Sequence, residues 1–124
     1  MAETMKSGAV ERITIVGAGL VGASIALALR RAQPGCRIVA VDPDPAVREA
    51  LVPGIADEAT DDLAAGLRDA QLVFVACPVG AMPAVLEAVA RLAPADCLVT
   101  DCGSTKASVA VAAAEAFGVD SPRF

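Results

Sequence analysis

The sequence predicts an α/β fold, a doubly wound parallel sheet, on three observations. Short apolar runs alternate with helix-like stretches along the chain. One such run, Ile13 to Val16, leads directly into G-A-G-L-V-G at Gly17 to Gly22, and an alanine-rich helix follows at once. A second apolar run, Ile38 to Val41, ends in Asp42, twenty residues after Gly22. Strand, glycine turn, helix, strand and terminal acid is the order of a Rossmann-type βαβ unit.

The elements follow in sequence. Ile13 to Val16 reads as the first strand and Leu20 to Arg31 as the first helix. Ile25, Leu29 and Ala32, with Ala28 between, give that helix its expected apolar face at 3.6 spacing. Gln33, Pro34 and Gly35 stop it, and Arg37 to Val41 makes the second strand. Asp44 and Pro45 suit a helix start, with Val47 to Leu51 as its body and Pro53 and Gly54 as its stop. Residues 55–68 hold a short third strand at most, then a helix over Leu63 to Arg68. Leu72 to Ala76 is a continuous apolar run, as in a central parallel strand covered on both faces. Cys77 and Pro78 end it, and Met82 to Leu92 forms the next helix. Cys97 to Thr100 is the fifth strand; a turn at Asp101 to Thr105, a helix from Lys106 to Phe117 and a C-cap at Gly118 complete the pattern.

A doubly wound sheet of this type usually has six strands in the order 3-2-1-4-5-6. Phe124 falls where a sixth would open. The sequence therefore reads as a sheet truncated before the sixth strand, with the Cys97 to Thr100 strand left as an exposed apolar edge.

Composition narrows the function. The chain has 124 residues, 56% of them hydrophobic, which fits one domain over residues 12–124 behind a disordered tail at residues 1–11. No apolar run approaches the roughly 20 residues that span a bilayer, and the first residues lack the apolar core of a targeting signal. A net charge of −5 without a dense basic run argues against nucleic acid as partner. Cys36, Cys77, Cys97 and Cys102 show no paired C-x-x-C spacing, and there is no histidine. No metal is expected, and buried reduced thiols in a cytoplasmic protein are the expected state.

Each glycine of the turn has its own task. Gly17 permits the tight turn, Gly19 lets backbone approach a pyrophosphate, and Gly22 lets the helix pack on the strand. Leu20, Val21 and Gly22 open the helix, whose unpaired N–H groups and partial positive charge suit phosphates. Asp42 suits ribose hydroxyls and repels a 2′-phosphate; Asp44 adds to the repulsion, and no arginine in the turn offsets it. At ~4 Å and an effective dielectric of ~20, each repulsion is on the order of 4 kcal/mol before screening. NAD rather than NADP is the expected cofactor. A structural turn without ligand, and an Asp42 that merely opens a D-P-D-P turn, are the competing readings.

Three further segments sit near strand ends. Asp101 to Lys106, D-C-G-S-T-K, follows the fifth strand, where open α/β sheets bind ligands. Asp101 and Gly103 are expected at the cofactor, Gly103 by allowing close backbone approach, and Ser104 projects a hydroxyl, while capping of the next helix by Ser104 or Thr105 is the competing reading. Cys77, Pro78 and Gly80 fit a loop shaping the nicotinamide pocket, since nothing nearby activates a Cys77 nucleophile. The acidic run Asp57, Glu58, Asp61 and Asp62 reads as a solvated loop.

Taken in order, the motifs resemble the prephenate dehydrogenase family, with its arogenate and cyclohexadienyl relatives. The likeness rests on G-A-G-L-V-G-A-S-I-A-L-A-L from Gly17, G-I-A-D-E-A-T-D-D-L from Gly54, and V-A-C-P-V-G followed by T-D-C-G-S-T-K. It covers about residues 12 to 124, and P-V-G with D-x-G-S-x-K is its most specific part. The resemblance implies an NAD-dependent oxidoreductase of tyrosine biosynthesis, which oxidatively decarboxylates prephenate or arogenate and works as a homodimer when complete. It places Ser104 in the active site, near the substrate hydroxyl and a histidine. In the family that histidine lies in a G-G-H-P motif on the sixth strand, and a later arginine grips the substrate carboxylate. Neither motif occurs in these residues, so the chain by itself is expected to bind cofactor and to be nearly inert. Two alternatives stay open: another dehydrogenase of the 6-phosphogluconate or β-hydroxyacid type, and a non-catalytic NAD-sensing module.

Overall fold

The computed structural model describes residues 10–52, 54–101, 114, 116–118 and 122–124. Five strands form one sheet in the order β3-β2-β1-β4-β5. They are β1 (Arg12–Val16), β2 (Arg37–Val41), β3 (Glu58–Thr60), β4 (Leu72–Val75) and β5 (Leu98–Asp101). Every pairing is parallel, as the strand–helix alternation requires. The helices between them are α1 (Leu20–Ala32), α2 (Pro45–Leu51), α3 (Leu63–Leu67) and α4 (Met82–Leu92), with a 3₁₀ turn at Val79–Ala81.

Helix starts are set by short side chains. Asp44 caps α2 by accepting from the Ala46 N–H at 2.9 Å, and Pro45 follows at the first helical position. Asp62 caps α3 through the Ala64 and Ala65 N–H groups at 3.0 and 3.3 Å. In α4 the buried residues Met82, Leu86 and Val89 recur one turn apart, which lays one stripe of the helix on the sheet. Past residue 114, Gly118 turns with φ +95° and donates its N–H to the Ala114 carbonyl at 2.9 Å, a glycine C-cap as expected.

The sheet carries a core on each face. Ile13, Ile15, Ile38 and Ala40 pack with Ala26 of α1 and Leu51 of α2. Val73, Val75 and Val99 pack on the other side with Leu67 of α3 and with Met82, Leu86 and Val89 of α4. Each fully buried aliphatic side chain contributes about 1.5–3 kcal/mol. Thr14 is the one polar side chain buried among the described residues, and its hydroxyl donates to the Gly66 carbonyl at 2.6 Å. Gly66 has no room for a side chain: a Cβ there would run into Val41 Cγ2, so α3 rests directly on β2.

Three expectations change and a fourth gains detail. The buried line of α1 is Gly22 and Ala26, with Ala23, Ile25 and Leu29 partly buried; Ala28 and Ala32 face solvent. Gly22 lets the helix settle onto the turn, and that contact fixes which face turns inward. The acidic run is solvent-exposed, as expected, but three of its members also make structural contacts. Asp57 accepts from the Ile38 N–H at 2.7 Å and pairs with Arg30 at 2.6 Å, Glu58 opens β3 and pairs with Arg37 at 2.9 Å, and Asp62 caps α3. The outer side of β5 is not bare either: Val99 donates its N–H to the Arg123 carbonyl at 2.6 Å. The Arg123 guanidinium lies over the Phe117 ring, 5.3 Å from its centroid. Finally, Cys36 and Cys97 are buried thiols, but Cys77 is only half-buried. Residues 1–9, Pro53, Cys102, Thr105, Lys106 and most of the expected last helix lie outside the described residues. No helix among the described residues is long and apolar enough to cross a membrane.

Candidate nucleotide-binding site

The register of the sheet brings the site together. Val16 is level with Val41 on one side and Val75 on the other, so β1, β2 and β4 release their chains at the same height. The Gly17 N–H donates to the Val41 carbonyl at 2.8 Å and the Ala76 N–H to the Val16 carbonyl at 2.7 Å. β1 feeds α1 and β2 to one side while β4 lies on the other. A crevice opens at that reversal of strand order, where open α/β sheets bind ligands.

The three glycines are distinguished by what surrounds them. Gly17 has φ +86°, and a Cβ there would stand 2.8 Å from the Cys77 nitrogen; no other residue type fits. At Gly22 a Cβ would collide with the Gly17 carbonyl oxygen and come within 3.3 Å of Ile15 Cγ2. At Gly19 a Cβ would meet nothing within 4 Å. Gly17 and Gly22 are thus required by packing, whereas the free space over Gly19 is room that folding does not use. Open space beside a helix start leaves room for a pyrophosphate. Gly19 caps α1 with no side-chain hydrogen bond, and no acid stands in the first turn. The N–H groups there are offered to an anion without a competing carboxylate.

One cavity of about 720 Å3 adjoins this turn. Gly17, Gly19, Leu20, Val21, Asp42, Cys77 and Pro78 all line it. Gly22 stands behind the wall as a packing residue. Asp101 ends β5 half-buried and is not among the lining residues; Gly103 and Ser104 lie outside the described residues. Sequence reasoning missed the apolar walls, among them Val41, Pro43, Leu63, Val79, Ala81 and Val85. Their signal was available: Leu63 and Val85 are apolar residues in the opening turns of helices that start at this edge. Leu20, 87% exposed, leaves an apolar lip at the mouth.

Asp42 is the single charged residue on the described wall. Its Oδ2 accepts from the Ala18 N–H and its Oδ1 from the Asp44 N–H, both at 2.9 Å. Each oxygen keeps capacity for a further donor, so the carboxylate can still receive hydroxyls from the cavity. Burial pushes the Cys77 thiol up, slightly offset by its own backbone N–H; its Sγ lies 3.9 Å from the Met82 sulfur. A neutral thiol is a poor nucleophile, which leaves Cys77 as wall.

The comparisons with known proteins agree with this geometry. The family model described as prephenate dehydrogenase, nucleotide-binding domain, matches residues 25–121. The prephenate dehydrogenase of Bacillus subtilis is 38% identical over 101 residues, a stretch that covers 80% of this chain and 27% of that protein. The crystal structure of Aquifex aeolicus prephenate dehydrogenase in complex with hydroxyphenyl propionate and NAD+ superposes with a TM-score of 0.79 at 29% identity, covering 87% of this chain and 38% of that one. For Synechocystis arogenate dehydrogenase the TM-score is 0.77 at 32% identity, over 86% and 37% of the two chains. The chain spans 27–34% of the length of the curated relatives it matches. With more than half its residues under the family model, the chain belongs to the nucleotide-binding domain family of the prephenate dehydrogenases.

Proposed function

We propose that the chain is the NAD-binding part of an oxidoreductase that oxidatively decarboxylates prephenate or arogenate in tyrosine biosynthesis. The observation that carries the reading is the pairing of unused space at Gly19 with the Asp42 carboxylate on one cavity wall. In this reading the N–H groups opening α1 take the pyrophosphate, Asp42 takes the adenosine ribose hydroxyls, and Val41, Pro43 and Leu63 face the adenine. Cys77 and Pro78 bound the nicotinamide end. Bound NAD supplies the hydride acceptor. Asp101 and Gly103 extend the cofactor site beyond the described wall, and the Ser104 hydroxyl lies near the substrate hydroxyl, as the family resemblance implies. The chain contains no histidine, and the family resemblance assigns the proton of the substrate hydroxyl to a histidine, which in this reading lies outside these 124 residues. The complete enzyme works as a cytoplasmic homodimer on a small-molecule substrate.

Calorimetric titration of the purified chain tests the cofactor assignment. NAD binds and NADP binds at least roughly tenfold more weakly, since one uncompensated repulsion at the ribose exceeds 1.4 kcal/mol. Tighter binding of NADP would overturn the assignment of Asp42. Oxidation of prephenate by the chain alone at an ordinary enzymatic rate would overturn the assignment of the base.

A further inference from the structure

The Asp42 carboxylate faces inward as well as outward. The Asp42 backbone N–H donates to the Thr60 carbonyl at 3.0 Å, and the Asp42 backbone carbonyl accepts from Arg48 Nη1 at 2.8 Å. Its two carboxylate oxygens accept from Ala18 and Asp44. The bond to Ala18 crosses from the end of β2 into the middle of the glycine turn. Backbone bonds fix that turn only at its borders, Gly17 N–H to Val41 and Ala23 N–H to Gly19. Between them lies Gly17-Ala18-Gly19, where the Ala18 methyl is buried in the core and the Ala18 N–H is held by the Asp42 carboxylate.

Resting on the nucleotide reading above, we propose that Asp42 is a positioning residue for the phosphate-binding turn as well as a partner for the ribose. Its carboxylate clamps the Ala18 N–H and so holds the turn, and the helix start beyond it, in the shape that receives a pyrophosphate. Arg48 and Thr60 hold Asp42 itself. The two subsites are therefore coupled through one side chain. A neutral residue at position 42 removes the repulsion toward a 2′-phosphate and in the same step releases the turn, so it weakens both dinucleotides. Preorganised donors bind better than donors that must first be ordered.

The test is a double cycle on the full chain. Binding of NAD, and of an NAD analogue lacking both adenosine ribose hydroxyls, is measured for the wild type and for Asp42→Ala. If Asp42 acts through the ribose alone, the substitution leaves the analogue's affinity unchanged, and that result overturns the proposal. The expected result is a loss of roughly tenfold for the analogue, the size of one hydrogen bond to a charged group, and a larger loss for NAD. Asp42→Leu, which keeps the volume and offers no acceptor, serves the same cycle if the alanine variant does not fold. Amide exchange at Ala18 without ligand is an independent readout. Exchange slower in the wild type than in Asp42→Leu supports the clamp, and equal rates overturn it. A wild-type chain that binds no NAD but protects Ala18 overturns the nucleotide reading and leaves the clamp standing.

Discussion

Thr14 and Gly66 are joined by a buried 2.6 Å hydrogen bond, hydroxyl to carbonyl, between the central strand and the last turn of α3. The carbonyls at a helix end lack intrahelical partners, and this one is met inside the core. Thr14→Val keeps the shape and removes the donor. It is expected to cost about 1–2 kcal/mol, read as a lower urea midpoint, while Thr14→Ser stays closer to the wild type. Equal midpoints for the valine variant and the wild type would show the bond to be idle.

The glycines of the turn separate folding from binding. Gly17→Ala meets a positive φ and a backbone nitrogen at 2.8 Å, a combination expected to cost about 2–4 kcal/mol. Gly22→Ala drives a methyl into the Gly17 carbonyl and is expected to be as harmful. Gly19→Ala has space for its methyl, so stability should stay within about 0.5 kcal/mol. Its methyl occupies the room assigned to the pyrophosphate, and NAD affinity should fall by roughly tenfold or more. Thermal melts alongside NAD titrations check all three, and undiminished binding by Gly19→Ala would place the phosphate elsewhere.

Why so much of this was legible in the chain follows from the kind of signal each part left. Parallel strands buried on both faces write continuous apolar runs, and Ile38 to Val41 and Leu72 to Val75 were found within a residue of their ends. Asp44 and Pro45 announce α2 by local chemistry alone. The misplaced face of α1 shows the limit. Alanine is small enough to stand on either side, so periodicity put Ala28 and Ala32 inward where the Gly22 contact turns Ala26 to the core. The acidic run is exposed as expected, but its structural contacts were hidden for a related reason. Asp57 and Asp62 find their partners in Ile38, Arg30 and the start of α3, and an acid that caps a helix looks in sequence like one that is solvated. At the site, the fingerprint glycines and Asp42 were visible because backbone conformation demands them. The cavity walls were not, because Leu63 and Val85 are ordinary apolar residues until the register aligns their helices with the glycine turn.

Asp57 makes the fold acid-sensitive. Burial raises its carboxyl, but the Ile38 N–H and the Arg30 guanidinium outweigh that and hold it below its ordinary value of 3.8. A carboxyl depressed in the folded state contributes stability above its unfolded pKa and loses it as pH falls through the folded one. Asp57→Asn should therefore lower the melting temperature at neutral pH and flatten the loss of stability below about pH 4. Melting curves from neutral to acid pH for both proteins check this, and identical acid slopes would assign the sensitivity to another carboxylate.

Cys97 sets the opposite limit. Burial pushes its thiol up from 9.0 to about 11, with Arg123 pulling it slightly down and Asp96 slightly up. Burial likewise raises Cys36 and Cys77. An acid whose folded pKa lies above its unfolded one stabilises the fold fully below the unfolded value and ceases to as pH climbs through the folded value. Stability should accordingly decline between about pH 9 and 11, and Cys97→Ala should remove part of that decline. At neutral pH the same burial keeps the thiols protonated, so Cys36 and Cys97 should resist alkylation in the native state. Cys77, half-buried on the cavity wall, should react slowly and be protected by NAD. Mass-spectrometric labelling with and without NAD separates the three sites. Labelling of Cys77 that NAD leaves unchanged would remove this thiol from the nicotinamide end of the cavity.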